Sequence, residues 1–368
     1  MMDQYQEYIH RSRYARWLPE EGRRETWHET VERLVAFWDQ RGVLEPEECE
    51  GMFQSIFHLG IMPSMRSMMT AGPALERDHV AGYNCAYLPI DHVRAFDETM
   101  YILLCGTGVG FSVERQYINK LPEVPQHYDW SDSDETIVVS DSKIGWASAF
   151  RRLINHLYAG ERVTWDTSRI RPAGAPLKTF GGRASGPEPL EALFRFTTEI
   201  FQGAQGRRLS DIEVHDIICQ VGETVVVGGV RRSALISLSN PTSSRMRGAK
   251  SGQWWVDNPQ RALANNSACY TDKPDFEFFM KELLALHSSK AGERGFFSRT
   301  ASERVVLRNG RRQGGFQWGT NPCSEIILRP NQFCNLSEVV VREGDTYAQL
   351  EAKVKQAAIL GTLQASLT

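Results

Sequence analysis

Cysteine is scarce in this chain: 7 residues among 368. The number is odd, no Cys-x-x-Cys pair occurs, and no histidine flanks Cys323 or Cys334 at ligand spacing. These absences exclude a secreted disulfide scaffold and disfavour a zinc site. Long apolar runs are missing too, and nothing approaches the roughly 18 consecutive apolar residues of a membrane span. The opening residues Met1–Glu7 contain no apolar core, so no secretory signal is expected there. Nor is there an excess of positive charge. With 42 basic against 45 acidic residues and a net charge of −3, a general electrostatic grip on nucleic acid is not expected. No internal repeat or low-complexity tract is present. What remains is 41% hydrophobic and 24% charged, the composition of a globular protein of one large domain or two ordinary ones. The reading places it in the reducing cytoplasm, with no membrane and no nucleic acid as partner.

The first 62 residues read as helical. Thr26-Trp27-His28-Glu29 is a capping box ahead of Val31, Leu34, Val35 and Trp38 at helical spacing, and a second helix starts near Pro46. From residue 63 onward, short apolar runs alternate with amphipathic segments. Helices are expected around 97–105, 142–159, 189–202, 210–221, 275–288 and 346–365. Strands are expected at Gly110–Arg115, Thr224–Val227, Ala234–Leu238, Glu325–Leu328 and Glu338–Val341. This alternation predicts an α/β fold with mainly parallel strands. The Gly/Pro/Ser-rich connections 171–189 and 239–253 are long enough to be binding loops. The last helical stripe (Tyr347, Leu350, Val354, Ala358, Leu360) carries no stop signal after it, which predicts that the chain is part of a larger folded unit.

Three motifs bear on chemistry. Gly106-Thr107-Gly108-Val109-Gly110 has the wrong context for a dinucleotide loop, because a helix precedes it and a strand follows. The glycines end that helix and let backbone come close to something flat or crowded, either as a plain C-cap and tight turn or as a ligand-contacting turn. Two basic Gly-rich loops, 172–189 with Lys178 and Arg183, and 228–234 with Arg231 and Arg232, together favour a nucleotide or other polyanion site over solvated turns. The sharpest stretch is Thr320-Asn321-Pro322-Cys323-Ser324-Glu325-Ile326, with Cys334 eleven residues after Cys323. Cys323 is expected at a loop tip aimed into an interior, and on extended backbone Glu325 points the same way. A thiol and a carboxylate converging there suit nucleophilic or radical chemistry with the carboxylate as base; a buried inert cysteine is the bland alternative. A third thiol, Cys85, opens an extended run in Tyr83-Asn84-Cys85-Ala86-Tyr87.

Taken together, Asn321–Ile326 with Cys334, and Tyr83-Asn84-Cys85, resemble the finger-loop signature and redox cysteine pair of ribonucleotide reductase catalytic chains. Pro63–Arg66, Gly181–Pro187 and Val227–Leu238 are most similar to the class II enzymes, and among those to the monomeric adenosylcobalamin-dependent ribonucleoside triphosphate reductases. The resemblance covers nearly the whole chain. It implies the first half of a ten-stranded α/β barrel over residues 63–368, with a finger loop near 320–325, behind the helical region 1–62. It also implies a thiyl radical on Cys323, generated with adenosylcobalamin, that removes the ribose 3′-hydrogen. Glu325 would take the 3′-hydroxyl proton, Asn321 would hold substrate hydroxyls, and Cys85 and Cys334 would deliver the reducing equivalents. By family position Ser64, Asn84, Thr107 and Gly108 contact substrate, while Lys178, Arg183, Arg231 and Arg232 belong to loops that sense a deoxynucleoside triphosphate effector. No protein-held metal is implied.

A complete reductase of this type is about twice as long by resemblance. The expectation is therefore an amino-terminal portion that needs a carboxy-terminal half, on a separate chain or a missing segment, and thioredoxin or a similar dithiol reductant. The competing expectation is a catalytically inactive nucleotide-binding remnant or regulatory fragment.

Overall fold

The computed structural model describes residues 2–126, 130–176, 183–227 and 234–367. They divide into two compact units, Met1–Asn84 with Phe333–Thr368, and Cys85–Gln332. The first unit thus extends beyond the 62/63 boundary read from sequence and takes in the chain's last helix. Burial explains this. Helix Tyr347–Ala365 places Ala357, Leu360 and Leu363 in the same apolar cluster as Trp27, Val31, Leu34, Trp38, Met52 and Ile56. The capping box at Thr26 forms as expected, with Glu29 Oε2 accepting from the Thr26 amide at 2.7 Å, and it starts helix Trp27–Asp39. Strand Ile61–Pro63 pairs antiparallel with Ser337–Val339, tying the two sequence segments of this unit together.

In the second unit five strands pair side by side: β1 (Cys85–Pro89), β2 (Gly108–Ser112), β3 (Leu235–Ser239), β4 (Ala264–Tyr270) and β5 (Gly295–Ser298). Each neighbouring pair is parallel. Parallel pairing demands crossovers, and helices supply them. Ala95–Leu104 links β1 to β2, and Phe276–Ser289 links β4 to β5. The long β2–β3 connection carries helices Lys143–Ala159, Glu188–Gly203 and Asp211–Val227. β2 and β3 are buried along their whole length, as expected of strands covered on both faces. The fold is therefore mixed α/β, a parallel sheet with helices. A short hairpin follows, β6 (Gly319–Thr320) and β7 (Ile327–Leu328), in antiparallel register with Thr320 opposite Ile327. Among the described residues no helix is long and apolar enough to cross a membrane.

Some local expectations fail. Thr224–Val227 is the end of a helix, not a strand. Ser210 and Glu213 start that helix, and Val214, Ile217, Ile218, Val221 and Val225 keep a buried helical face to its end, overriding the β-propensity of the valines. Glu325–Leu328 contributes only Ile327–Leu328 to pairing, and Glu338–Val341 shifts to Ser337–Val339. β4 escapes the sequence pattern because Ala264-Asn265-Asn266-Ser267-Ala268 has few strand-favouring residues.

Candidate active site

The β6–β7 hairpin carries the Asn-Pro-Cys motif on its turn, and Asn321 organises that turn. Its amide donates to the Ile326 carbonyl (3.3 Å), and its Oδ1 accepts from the Ile326 amide (3.0 Å). Its carbonyl accepts from the Ser324 amide (3.0 Å), and Ser324 sits in left-handed backbone at φ 67°. The stretch from Cys323 to Glu325 is therefore a tight turn, not the extended backbone expected from sequence. Asn321 and Pro322 are buried, whereas Cys323, Ser324 and Glu325 are exposed. Cys323 does reach a loop tip, but as an exposed residue rather than one sunk in an interior, because the turn lifts it off the strands.

The hairpin lies on β2. A Cβ at Gly110 would overlap the Thr320 carbonyl oxygen, and one at Gly108 would stand 2.9 Å from Pro322 Cγ. As expected from the sequence, Gly106 ends the helix Ala95–Leu104 in left-handed backbone (φ 80°), and Gly108 and Gly110 serve close backbone approach. Gly108 is the register partner of Cys85 across β1 and β2, and Asn321 Nδ2 lies 3.9 Å from Cys85 Sγ. Partial desolvation at the tip, then the Glu325 charge and the neighbouring Cys85 thiol, push the Cys323 thiol above its ordinary value. Within this unit the fold therefore gathers Cys85, Gly108, Asn321, Cys323 and Glu325 in one neighbourhood, and buried Thr107 adjoins Gly108.

The other expected residues lie elsewhere. Ser64, Asn84 and Cys334 belong to the first unit. There Ser64 Oγ accepts from the Ser67 amide and from Gln364 Nε2, both at 3.1 Å. The Asn84 amide donates to the Cys334 carbonyl (3.0 Å). Arg183 donates to the Gly174 carbonyl (2.8 Å), bracing its own loop. Lys178, Arg231 and Arg232 lie outside the described residues.

Sequence reasoning missed the base of the hairpin. Glu114, just past β2, and Arg299, 185 residues later, form a buried bidentate ion pair. No spacing rule reaches across that separation; the only sequence hint is a carboxylate closing an apolar strand.

A family model for the insertion domain of B12-dependent ribonucleotide reductase matches residues 121–200. The adenosylcobalamin-dependent ribonucleoside-triphosphate reductase of Lactobacillus leichmannii is 30% identical over 399 residues, covering 89% of this chain and 53% of that protein. The protein of the same name from Lacticaseibacillus paracasei is 29% identical over 404 residues, with the same coverage, 89% and 53%. Among solved structures, a B-12 dependent (class II) ribonucleotide reductase superposes with a TM-score of 0.81 at 25% identity, covering 97% of this chain and 58% of its own. The chain spans about half the length of the curated relatives it matches.

Proposed function

The chain is similar over most of its length to adenosylcobalamin-dependent ribonucleoside-triphosphate reductases, and from that likeness we propose that it is the thiol-bearing, amino-terminal portion of such a reductase. In this reading the five parallel strands and the β6–β7 hairpin are one half of a ten-stranded barrel with its finger loop. The remaining half comes from a further segment or chain. One observation carries the proposal: the hairpin turn sets Asn321 against Cys85 and Pro322 over Gly108, with Cys323 at the tip beside Glu325.

The residues present fit the cofactor's chemistry, since the Cys323 thiol stands exposed at a hairpin tip where a bulky group can approach it. Cys323 would face bound adenosylcobalamin, whose homolysis chemistry would supply the radical that takes up the Cys323 thiol hydrogen and leaves a thiyl. Cys323 then removes the 3′-hydrogen of a ribonucleoside triphosphate, and Glu325 accepts the 3′-hydroxyl proton. Asn321, already fixed by its turn, holds hydroxyls, with Ser64, Asn84, Thr107 and Gly108 as further substrate contacts. The C2′ hydroxyl leaves as water. Cys85 and Cys334, as a dithiol becoming one disulfide, supply the two electrons and two protons that balance that loss. A dithiol such as thioredoxin resets them. Lys178, Arg183, Arg231 and Arg232 are assigned to deoxynucleotide sensing.

The test is nucleotide reduction by the 368-residue chain with adenosylcobalamin, ribonucleoside triphosphate and a dithiol, with and without a co-expressed carboxy-terminal half. Turnover is expected only in the mixture and is lost in Cys323→Ala. A partner that binds yet leaves the mixture inactive while effector still binds overturns the reading in favour of a nucleotide-binding remnant.

A further inference from the structure

The hairpin meets β2 in steps of two residues. Pro322 packs on Gly108, Thr320 packs on Gly110, and Trp318 lies at the end where Glu114 follows the strand. The finger strand therefore runs antiparallel along the face of β2, with side-chain period two on both elements. Register of this kind is only as secure as the features that pin it. Two glycines permit close approach at the tip, but they do not choose among slipped positions by themselves.

At the base, Arg299 makes that choice. Its Nε donates to the Trp318 carbonyl (2.9 Å), and its two terminal nitrogens donate to the two Glu114 carboxylate oxygens (3.0 and 2.7 Å). Ser112 Oγ, on the last residue of β2, donates to the same carboxylate (2.9 Å). Arg299 and Glu114 are 5% and 1% exposed, so the contacts form away from competing water. Burial alone would lower the guanidinium's pKa, yet the Glu114 hydrogen bonds and charge raise it above its ordinary range. Only a planar fork can serve one carbonyl and both oxygens of a carboxylate together.

We propose that Arg299 is a positioning residue for Cys323: bound to Glu114 and the Trp318 carbonyl, it locks the register of the finger hairpin along β2 and so sets where the thiol-bearing tip falls relative to Cys85. Each residue of slip moves a strand by about 3.3 Å, so a two-residue slip carries the tip some ~7 Å away. The inference rests on the proposed role of Cys323 for its significance, but the geometry it asserts exists without turnover.

The experiment reads that geometry directly. The 368-residue chain is alkylated with iodoacetamide across a range of pH, and modification of Cys323 and Cys49 is followed by peptide mass spectrometry. Cys49 lies in the first unit and is the internal reference. In the wild type the Cys323 midpoint lies above that of an ordinary thiol. In Arg299→Gln it is expected to fall toward the ordinary value as the tip leaves the surroundings that partly desolvate it, Cys85 among them. Below the midpoint the rate rises about threefold for each unit of fall, because lower basicity offsets part of the gain in thiolate. Cys49 is unchanged. Arg299→Lys keeps the charge without the fork and gives the same direction of change, so the test stands if the glutamine variant does not fold. A folded variant, with wild-type circular dichroism, whose Cys323 profile is unaltered overturns the proposal. Failure of the reductase reading shows differently, as absent turnover in the mixture of wild-type chain and carboxy-terminal half while the thiol profile is as described.

Discussion

Asn321 illustrates how much one buried side chain can determine. It is 1% exposed, its Oδ1 satisfies the Ile326 amide, and its Nδ2 reaches the Cys85 sulfur. The same residue that shapes the turn thus also orients it. His215 is a second buried polar residue, with a different consequence. It is wholly enclosed on helix Asp211–Val227, beside Cys219 Sγ at 3.4 Å, and its Nδ1 has no hydrogen-bond partner among the described residues. Burial, helped by the charges of Arg261 and Lys250, lowers its pKa to about 3. Since the folded value is below the unfolded one near 6.5, stability is intact above about pH 6.5. Below that the unfolded chain takes up a proton that the folded chain refuses. Stability should therefore fall by up to about 1.4 kcal/mol per pH unit on acidification, levelling near the folded value. His215→Leu should flatten that slope relative to wild type in urea unfolding at a series of pH values. Equal slopes would show that the imidazole already protonates in the native state.

Among the elements, the hairpin and β2 depend on each other sterically. Gly110→Ala places a methyl group against the Thr320 carbonyl, where backbone rather than a flexible side chain must yield. The expected cost is about 1–3 kcal/mol or more, read as a lower thermal midpoint for Cys85–Gln332. Gly203→Ala is the control. It lies at the end of helix Glu188–Gly203 with nothing within 4 Å of a new Cβ, so it should leave the midpoint unchanged or raise it slightly. If both alanines behaved alike, the close packing of hairpin on strand would be wrong. The base of the hairpin is held by charge. Removing one partner of a buried ion pair typically costs ~3–5 kcal/mol, mostly as the penalty on the charge left behind.

For the whole molecule, the notable fact is that the chain's two ends share one core. Leu360, fully buried on the last helix, packs in the cluster built around Trp27, Leu34, Trp38 and Ile56. Leu360→Ala should cost about 2–5 kcal/mol. The loss should appear in the unfolding of the first unit, followed by fluorescence of buried Trp27 and Trp38. A loss confined to the second unit would contradict the division of the chain. That shared cluster is also the reason that a deletion near residue 368 should act on residues near 30.

Much of this was legible in the chain itself, where the governing interactions are local. Thr26 and Glu29 cap a helix three residues apart, and the glycines at 108 and 110 announce close approach. Asn321-Pro322 ahead of Cys323 marks a loop tip in the sequence, although the tight turn from Cys323 to Glu325 was not legible there. Local physics needs no fold to be read. What the tertiary structure alone decided are the distant pairings. β4 is a strand only because β3 and β5 flank it, since its own Asn-Asn-Ser-Ala run has little strand propensity. Val225 is helical because its burial face belongs to the helix begun at Ser210. Arg299 finds Glu114 across 185 residues because the return of the chain past β5 brings it under Trp318. Those outcomes turn on which surfaces are buried together, a free energy that exists only once the chain has closed on itself.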